Sequence, residues 1–387
     1  MPFRFFNVFV FLCLLVAACS TDDESESSTP ITLDLESEPA DRENVLSYLS
    51  RNESGEDVKV DIDSTGAVVR STTLRNLLNL PLTGFPIVRG NYYSHISFTG
   101  EESSGLLISV SQVNMKNNKV FIGEEAITLR PDERWVDLVS TNNRLMVLSL
   151  TLETETSPAQ NFIRIFNKTT GEVQELDLAT GEIIKNYAIV DNYLIIQVLS
   201  EDTVSIVQSI DFVNGVITGS KGFDLPVTGT VVNGNLYIMG KGRTYEIYDP
   251  ITFDLIGIET PTYLNFNDMG FFETSSSGNE VALDYWWAEP SIPDRSMVPV
   301  VVDLSSNELV VSEEVFLNYF NDWEEEAGGS IRITGCSVSL ARNLVVVTYE
   351  DSTFPPSFFG LRYLTFETDS LMDDSSLALR PLQLFVD

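Results

Sequence analysis

Histidine is almost missing from this sequence: His95 is the only one among 387 residues. A Ser-His-Asp or Cys-His device would have to be built on it. Its neighbours, Tyr93-Ser94-His95-Ile96-Ser97, alternate as a half-buried strand does, which gives His95 a structural role. Cysteine is nearly as scarce, with Cys13, Cys19 and Cys336 alone. Zinc, copper and non-haem iron sites usually take two or more His or Cys ligands, so no metal is expected. No glycine-rich loop follows a strand and opens a helix as phosphate and dinucleotide sites require. Basic residues are few, 23 Lys and Arg against 57 Asp and Glu, for a formal net charge of −34. Such a chain is repelled by nucleic acid and by anionic headgroups, so no nucleic-acid partner is expected. Long amphipathic helices are also lacking. Glu313 to Glu326 is the best helical candidate and reads as an excursion in a β-rich chain.

The N-terminus is distinctive. Arg4 precedes an apolar run from Phe5 to Val16, which ends at Val16-Ala17-Ala18-Cys19. The run is shorter than the ~20 residues of a membrane span and closes on small residues, as a secretory signal does. With the cysteine after the small pair it resembles the lipobox of bacterial lipoproteins. The resemblance implies cleavage after residue 18 and acylation of Cys19, the expected membrane contact. Cys13 would leave with the signal, so Cys336 would have no disulfide partner and reads as a small core residue. Thr21-Asp22-Asp23-Glu24-Ser25-Glu26 follows. An acidic cluster there resembles the export tag of surface lipoproteins in some Gram-negative bacteria. It implies an outer-membrane, cell-surface location, with the periplasmic face as the alternative. Residues 19–42 are acidic and Ser-rich and read as a flexible tether.

From residue 43 to 387 short Val, Ile, Leu, Tyr and Phe runs alternate with Gly, Asn, Asp and Ser turns. A polar turn followed by an apolar strand recurs, aligned on Tyr93, Leu145, Leu194, Leu236, Val281 and Leu344, at spacings of 52, 49, 42, 45 and 63. A second unit follows each, an apolar strand, a polar residue, a short turn and another strand: Ile165 to Val173, Ile210 to Val216, Tyr248 to Leu255 and Val302 to Leu309. Val60 to Val68 is its first copy, and Val113 to Val120 and Phe366 to Leu371 are weaker ones. Seven units share residues 43–387, about 49 residues each, which is the repeat length of a β-propeller. The expected fold is all-β: a single propeller of seven blades with four antiparallel strands each. The first unit lacks an innermost strand, and Leu382 to Val386 is placed to supply it and close the ring. The pattern resembles degenerate quinoprotein-like and WD-repeat-like propellers, without the Trp-Asp signature. The long interval before Leu344 predicts insertions at Ala288 to Met297 and Phe316 to Ser330.

No catalytic residue can be singled out. Paired carboxylates, as in glycoside hydrolysis, arise by chance among so many acids. Asp322 to Glu326 and Asp373-Asp374 lack EF-hand spacing; no cofactor is expected, with a structural calcium left open. The aromatics Tyr285, Trp286, Trp287 and Trp323 flank the predicted insertions. They are the candidate ligand-binding residues, since aromatic faces stack on sugar rings and peptide side chains. Acidic neighbours there suit sugar hydroxyls or cationic side chains and disfavour anions. The expected function is a lipid-anchored, non-catalytic binding or scaffold module for a glycan, peptide or protein. A carboxylate-dependent glycan hydrolase or lyase, and a structural subunit of an outer-membrane assembly, are the alternatives.

Overall fold

A computed structural model describes residues 31–34, 44–63, 67–78, 84–101, 105–152, 159–179, 183–199, 205–224, 227–232, 234–239, 245–259, 275–277, 280–285, 298–303, 305–306, 308–353, 358–368, 375–377 and 379–386. Among the described residues the strands form seven antiparallel sheets. Blade 1 is β2 (Asn44–Arg51), β3 (Asp57–Asp63) and β4 (Val68–Thr73), completed by β29 (Pro381–Val386) on the free side of β2. Blade 2 is β5 (Phe85–Arg89), β6 (Tyr92–Glu101), β7 (Gly105–Asn114) and β8 (Lys119–Thr128). Blade 3 holds β9 (Glu133–Ser140) to β12 (Val173–Asp177), through β10 (Arg144–Thr151) and β11 (Gln160–Asn167). Blade 4 runs from β13 (Ile183–Val190) to β16 (Val216–Phe223), and blade 5 from β17 (Thr228–Val232) to β20 (Leu255–Glu259). Blade 6 runs from β21 (Ser275–Ser277) through β22 (Glu280–Tyr285) and β23 (Val298–Asp303) to β24 (Glu308–Val311). Blade 7 runs from β25 (Ile331–Ser339) through β26 (Leu344–Asp351) and β27 (Phe358–Leu364) to β28 (Ser375–Leu377). The chain is a seven-bladed β-propeller.

A four-stranded sheet with two apolar faces must bury both, and neighbouring blades do this for each other. Leu46, Tyr48 and Val60 of blade 1 meet Val346, Leu361 and Tyr363 of blade 7. On the other side, Leu49 of β2 and Phe385 of β29 meet Tyr93 and Val113 of blade 2. Comparable clusters join blade 2 to 3, 3 to 4, 4 to 5 and 6 to 7. First strands approach one another, β5 with β9, β13 with β17 and β25 with β29, which sets them around the axis.

The repeated turns have one cause. The last residue of, or the residue just after, the third strand caps the turn into the fourth. Asn114, Asn167, Asp211, Asp249 and Asp303 each accept from backbone N–H groups two and three residues on, at 2.7 to 3.4 Å. Asp63 accepts from Ala67 N–H, and the Thr365 hydroxyl takes the role in blade 7. Burial raises the carboxyl pKa of Asp211, but its N–H partners outweigh that and hold it low; at Asp249 and Asp303 hydrogen bonding leads. These are Asx turns, which fix register blade after blade.

Helix α1 (Leu74–Leu78) joins blade 1 to blade 2, and α2 (Glu313–Glu326) joins blade 6 to blade 7. The second matches the helical excursion read from the sequence. Ile31–Asp34, inside the segment read as a tether, pairs antiparallel with β8 as an added outer strand, β1. Cys336 lies on β25, half-buried, and packs against the apolar cluster of Phe316, Val345 and Val347. Among the described residues no helix is long and apolar enough to cross a membrane.

Removing Pro381 to Asp387 would free the edge of β2 and take Phe385 from its cluster. The expected outcome is insolubility or a fall of many degrees in melting temperature by calorimetry. A truncated chain that melts like its parent would show that β29 does not close the ring.

Candidate binding face

Antiparallel order gives the ring two unlike ends. The turns from first to second strand, and from third to fourth, share one end, which carries the short Asx turns. The turns from second to third strand, and the connections between blades, share the other. That end carries α1 and α2, and β22 ends there at Tyr285. Of the aromatic candidates, Tyr285 closes β22 at that end, and α2 with Trp323 lies on the same side. The side chain of Tyr285, the residues Trp286 and Trp287, the stretch Ala288 to Met297, and Cys19 lie outside the described residues.

Trp323 is described, and it packs inward. Phe316, Phe320 and Trp323, at positions i, i+4 and i+7 of α2, turn one face onto blade 7. Trp323 is 7% exposed, with its ring 4.9 Å from Tyr349 and the Arg362 guanidinium 3.5 Å above its centroid. Arg362 also donates to the Tyr319 hydroxyl at 3.1 Å. Tyr349 lies across Gly360 on the adjacent strand, where a Cβ would sit 2.2 Å from the ring. The outer face of α2 exposes Asp322, Glu325 and Glu326. Trp323 thus supports the face from beneath. Trp323→Ala should cost about 3–5 kcal/mol of stability by denaturant unfolding. A change under about 1 kcal/mol would contradict this packing role.

The same end holds aromatics that the sequence reading passed over. Phe85 opens β5, Phe98 lies late on β6 and Trp135 early on β9, with centroids 5.4 to 6.3 Å apart. Phe85 is 37% exposed. Beside them Glu133 is buried and takes both guanidinium nitrogens of Arg164, the Ser149 hydroxyl and Arg130 N–H. Burial alone would raise the Glu133 carboxyl pKa, but these bonds outweigh it and hold it below the usual range. Arg164 and Arg130 reach on to Glu175 across the blade. An acid held ionised in this way is an anchor for the blade and not a proton donor.

His95 is buried on β6, opposite Pro86 and Ser111, and burial lowers its pKa. Among the described residues no group of three or more His, Cys, Asp or Glu is placed to hold a metal ion.

The other end has one chemical anomaly. Lys168 follows the Asx residue of blade 3, where blades 2, 4 and 5 put the buried Met115, Phe212 and Pro250. It is 4% exposed and no described carboxylate pairs with it. Its ammonium donates to Ser140 Oγ and to the Thr141 carbonyl, both at 2.7 Å, between the faces of Tyr92 and Phe121. Desolvation pushes its pKa from 10.5 down to about 7. A depressed lysine destabilises the fold wherever the unfolded chain is charged and the folded one resists charge. That penalty is full below about pH 7 and fades as pH rises to the unfolded value. The stability of the parent relative to Lys168→Met should therefore climb between pH 7 and 10, in paired melts. A flat difference would mean Lys168 stays charged through the cation–π contacts.

No protein-family model matches the sequence, and no match was found among curated proteins. Solved structures do match in shape. The β-propeller domain of the Trilobed protease from Pyrococcus furiosus is 10% identical, with 86% of this chain and 97% of that one covered and a TM-score of 0.42. Puromycin hydrolase is 11% identical over 85% of this chain, with a TM-score of 0.44. Acylaminoacyl peptidase from Pyrococcus horikoshii is 11% identical over 83%, also with a TM-score of 0.44. This chain spans about half the length of those two, 54% and 52%.

Proposed function

We propose that the chain is a lipoprotein acylated on Cys19 and displayed at the cell surface of a bacterial outer membrane. Its propeller is a non-catalytic binding or scaffold module. It takes a glycan, peptide or protein at the end that carries the long connections. The observation that favours this reading is the asymmetry of the ring. In blades 1 to 6 one end carries short Asx turns, while the two helices between blades, α1 and α2, lie at the other. Long loops on a rigid scaffold are where recognition concentrates. Tyr285, Trp286 and Trp287 would supply contacts there, while Trp323 holds α2 against blade 7. The hydrolase or lyase alternative gains no support from Glu133, since Arg164 holds it ionised.

Two measurements test the reading. Cys19→Ala should move the protein from the membrane to the soluble fraction at high salt, because the acyl chains carry the membrane affinity. Trp287→Ala should keep the parent melting temperature and lose binding to a panel of glycans and peptides. A Cys19→Ala protein that stays with the membrane removes the anchor. A Trp287→Ala protein that melts low and changes no binding returns that residue to the core.

A further inference from the structure

The fourth strand of a blade ends its sheet at the rim with one side unpaired. Proteins guard such edges with charges, proline or short length. Here β8 is covered, since β1 adds to it antiparallel, with Ile31 opposite Ile122 and Asp34 opposite Lys119. β4 carries Arg70, β12 carries Glu175 and Asp177, and β16 carries Lys221. β24 and β28 are four and three residues long. β20 is different: it reads Leu255-Ile256-Gly257-Ile258-Glu259, with no charge before its last residue. Leu255, Ile256 and Ile258, at 52%, 57% and 60%, are three of the four most exposed large apolar side chains among the described residues.

Register sets the direction of these side chains. Leu255 lies opposite Tyr248, and Ile258 opposite Glu246, of β19 (Tyr245–Tyr248), with Ile256 the extra residue of a bulge between them. Residues opposite one another share a face of the sheet. Tyr248 packs in the cluster that holds Ile195 and Val207 of blade 4, so Leu255 and Ile258 are on the side turned to blade 4. Blades set around an axis diverge toward the rim, and the Phe223 and Tyr248 rings meet edge to face at 6.1 Å in the wedge. Lys221 lies 4.8 Å from the centroid of Tyr248. The described residues of blade 5 hold four acids, Glu246, Asp249, Asp254 and Glu259, and no base. Glu259 Oε2 is buried and has no hydrogen-bond partner among the described residues.

We infer that β20 is a docking edge for an extended cationic segment of a partner protein, which adds antiparallel as a fifth strand of blade 5. The pairing of β1 with β8 shows that a blade of this ring accepts a fifth strand at its rim. Backbone hydrogen bonds along the open edge supply affinity, and alternate apolar side chains of the added strand cover Leu255 and Ile258. Lysine or arginine in the same segment meets the carboxylates that bracket the strand, Asp254 and Glu259. Charge also selects the partner. A second copy of this chain, at a formal −34, is repelled, whereas a cationic segment is drawn in. This surface lies on the outer wall of the ring and does not depend on recognition at the end that carries the long connections.

The test is calorimetric titration of the full chain, at physiological salt, with a synthetic peptide that alternates lysine with valine. The peptide should bind at submillimolar concentration and slow amide exchange across Leu255 to Glu259. Two control peptides should bind at least tenfold more weakly. One alternates lysine with serine and lacks the apolar side chains; the other is the first peptide N-methylated at every second residue and lacks the backbone donors. A peptide alternating glutamate with valine should not bind. Ile256→Thr with Ile258→Thr keeps β-branched residues on an exposed strand, so it should weaken binding at least tenfold at an unchanged melting temperature. If that pair melts below the parent, Leu255→Thr is read in its place by the same tenfold criterion. The inference falls if the lysine–valine peptide does not bind, if protection lies elsewhere, if any control peptide binds as well, or if the variant binds like the parent. A parent chain that dimerises in sedimentation, with the isoleucine pair variant monomeric, would overturn it in favour of a second copy. Trp287→Ala should bind the peptide as the parent does, and a loss there would move the peptide to the loops.

Discussion

Pairing of β29 with β2 is the constraint on which the rest of the structure depends. A blade has two apolar faces, and each face needs a neighbour. A row of blades always leaves two faces bare, and only a closed ring leaves none. Closure here needs residues more than 300 positions apart to meet in one sheet, Ser47 beside Phe385 and Tyr48 beside Leu384. The strand that joins the ends also carries Phe385 into the junction between blades 1 and 2. One element therefore satisfies an unpaired strand edge and an unpaired face together. Loss of either would expose apolar surface at the place where the two ends of the chain are tied.

Within that frame the blades differ in how they are cemented. Most junctions are aliphatic, but the face between blades 2 and 3 has polar groups at both ends of an apolar middle. Glu133, Arg164 and Ser149 lie toward the long connections, and Lys168, Ser140 and Gln112 toward the short turns. Buried charge of this kind adds little net stability compared with apolar packing. It does penalise misregistered pairing heavily, since Arg164 displaced from Glu133 would be a buried charge without a partner. The first cluster thus fixes strand register within blade 3, and the second ties blade 3 to blade 2, through Ser140 donating to Gln112 and Lys168 lying against Tyr92 and Phe121.

Much of this architecture was legible because its determinants are local. An Asx turn needs one Asp or Asn and a short loop, so Asp211-Phe212-Val213-Asn214 and Asp249-Pro250-Ile251-Thr252 betray the repeat directly. Tyr93, Leu145, Leu194, Leu236 and Leu344, five of the six residues on which the repeats align, are buried on second strands. Glu313 to Glu326 stood out as the helical candidate, and it is α2. What escaped depends on distant neighbours. Phe85 and Trp135 look like ordinary strand aromatics until blades 2 and 3 bring them together. Trp323 looked like a surface aromatic because its segment is acidic, yet the acids occupy one face of the helix and the tryptophan the other. Lys168 shows only when the blades are superposed and its equivalents prove to be buried and apolar. The fold was thus readable from spacing, while the candidate site was readable only as far as its loops.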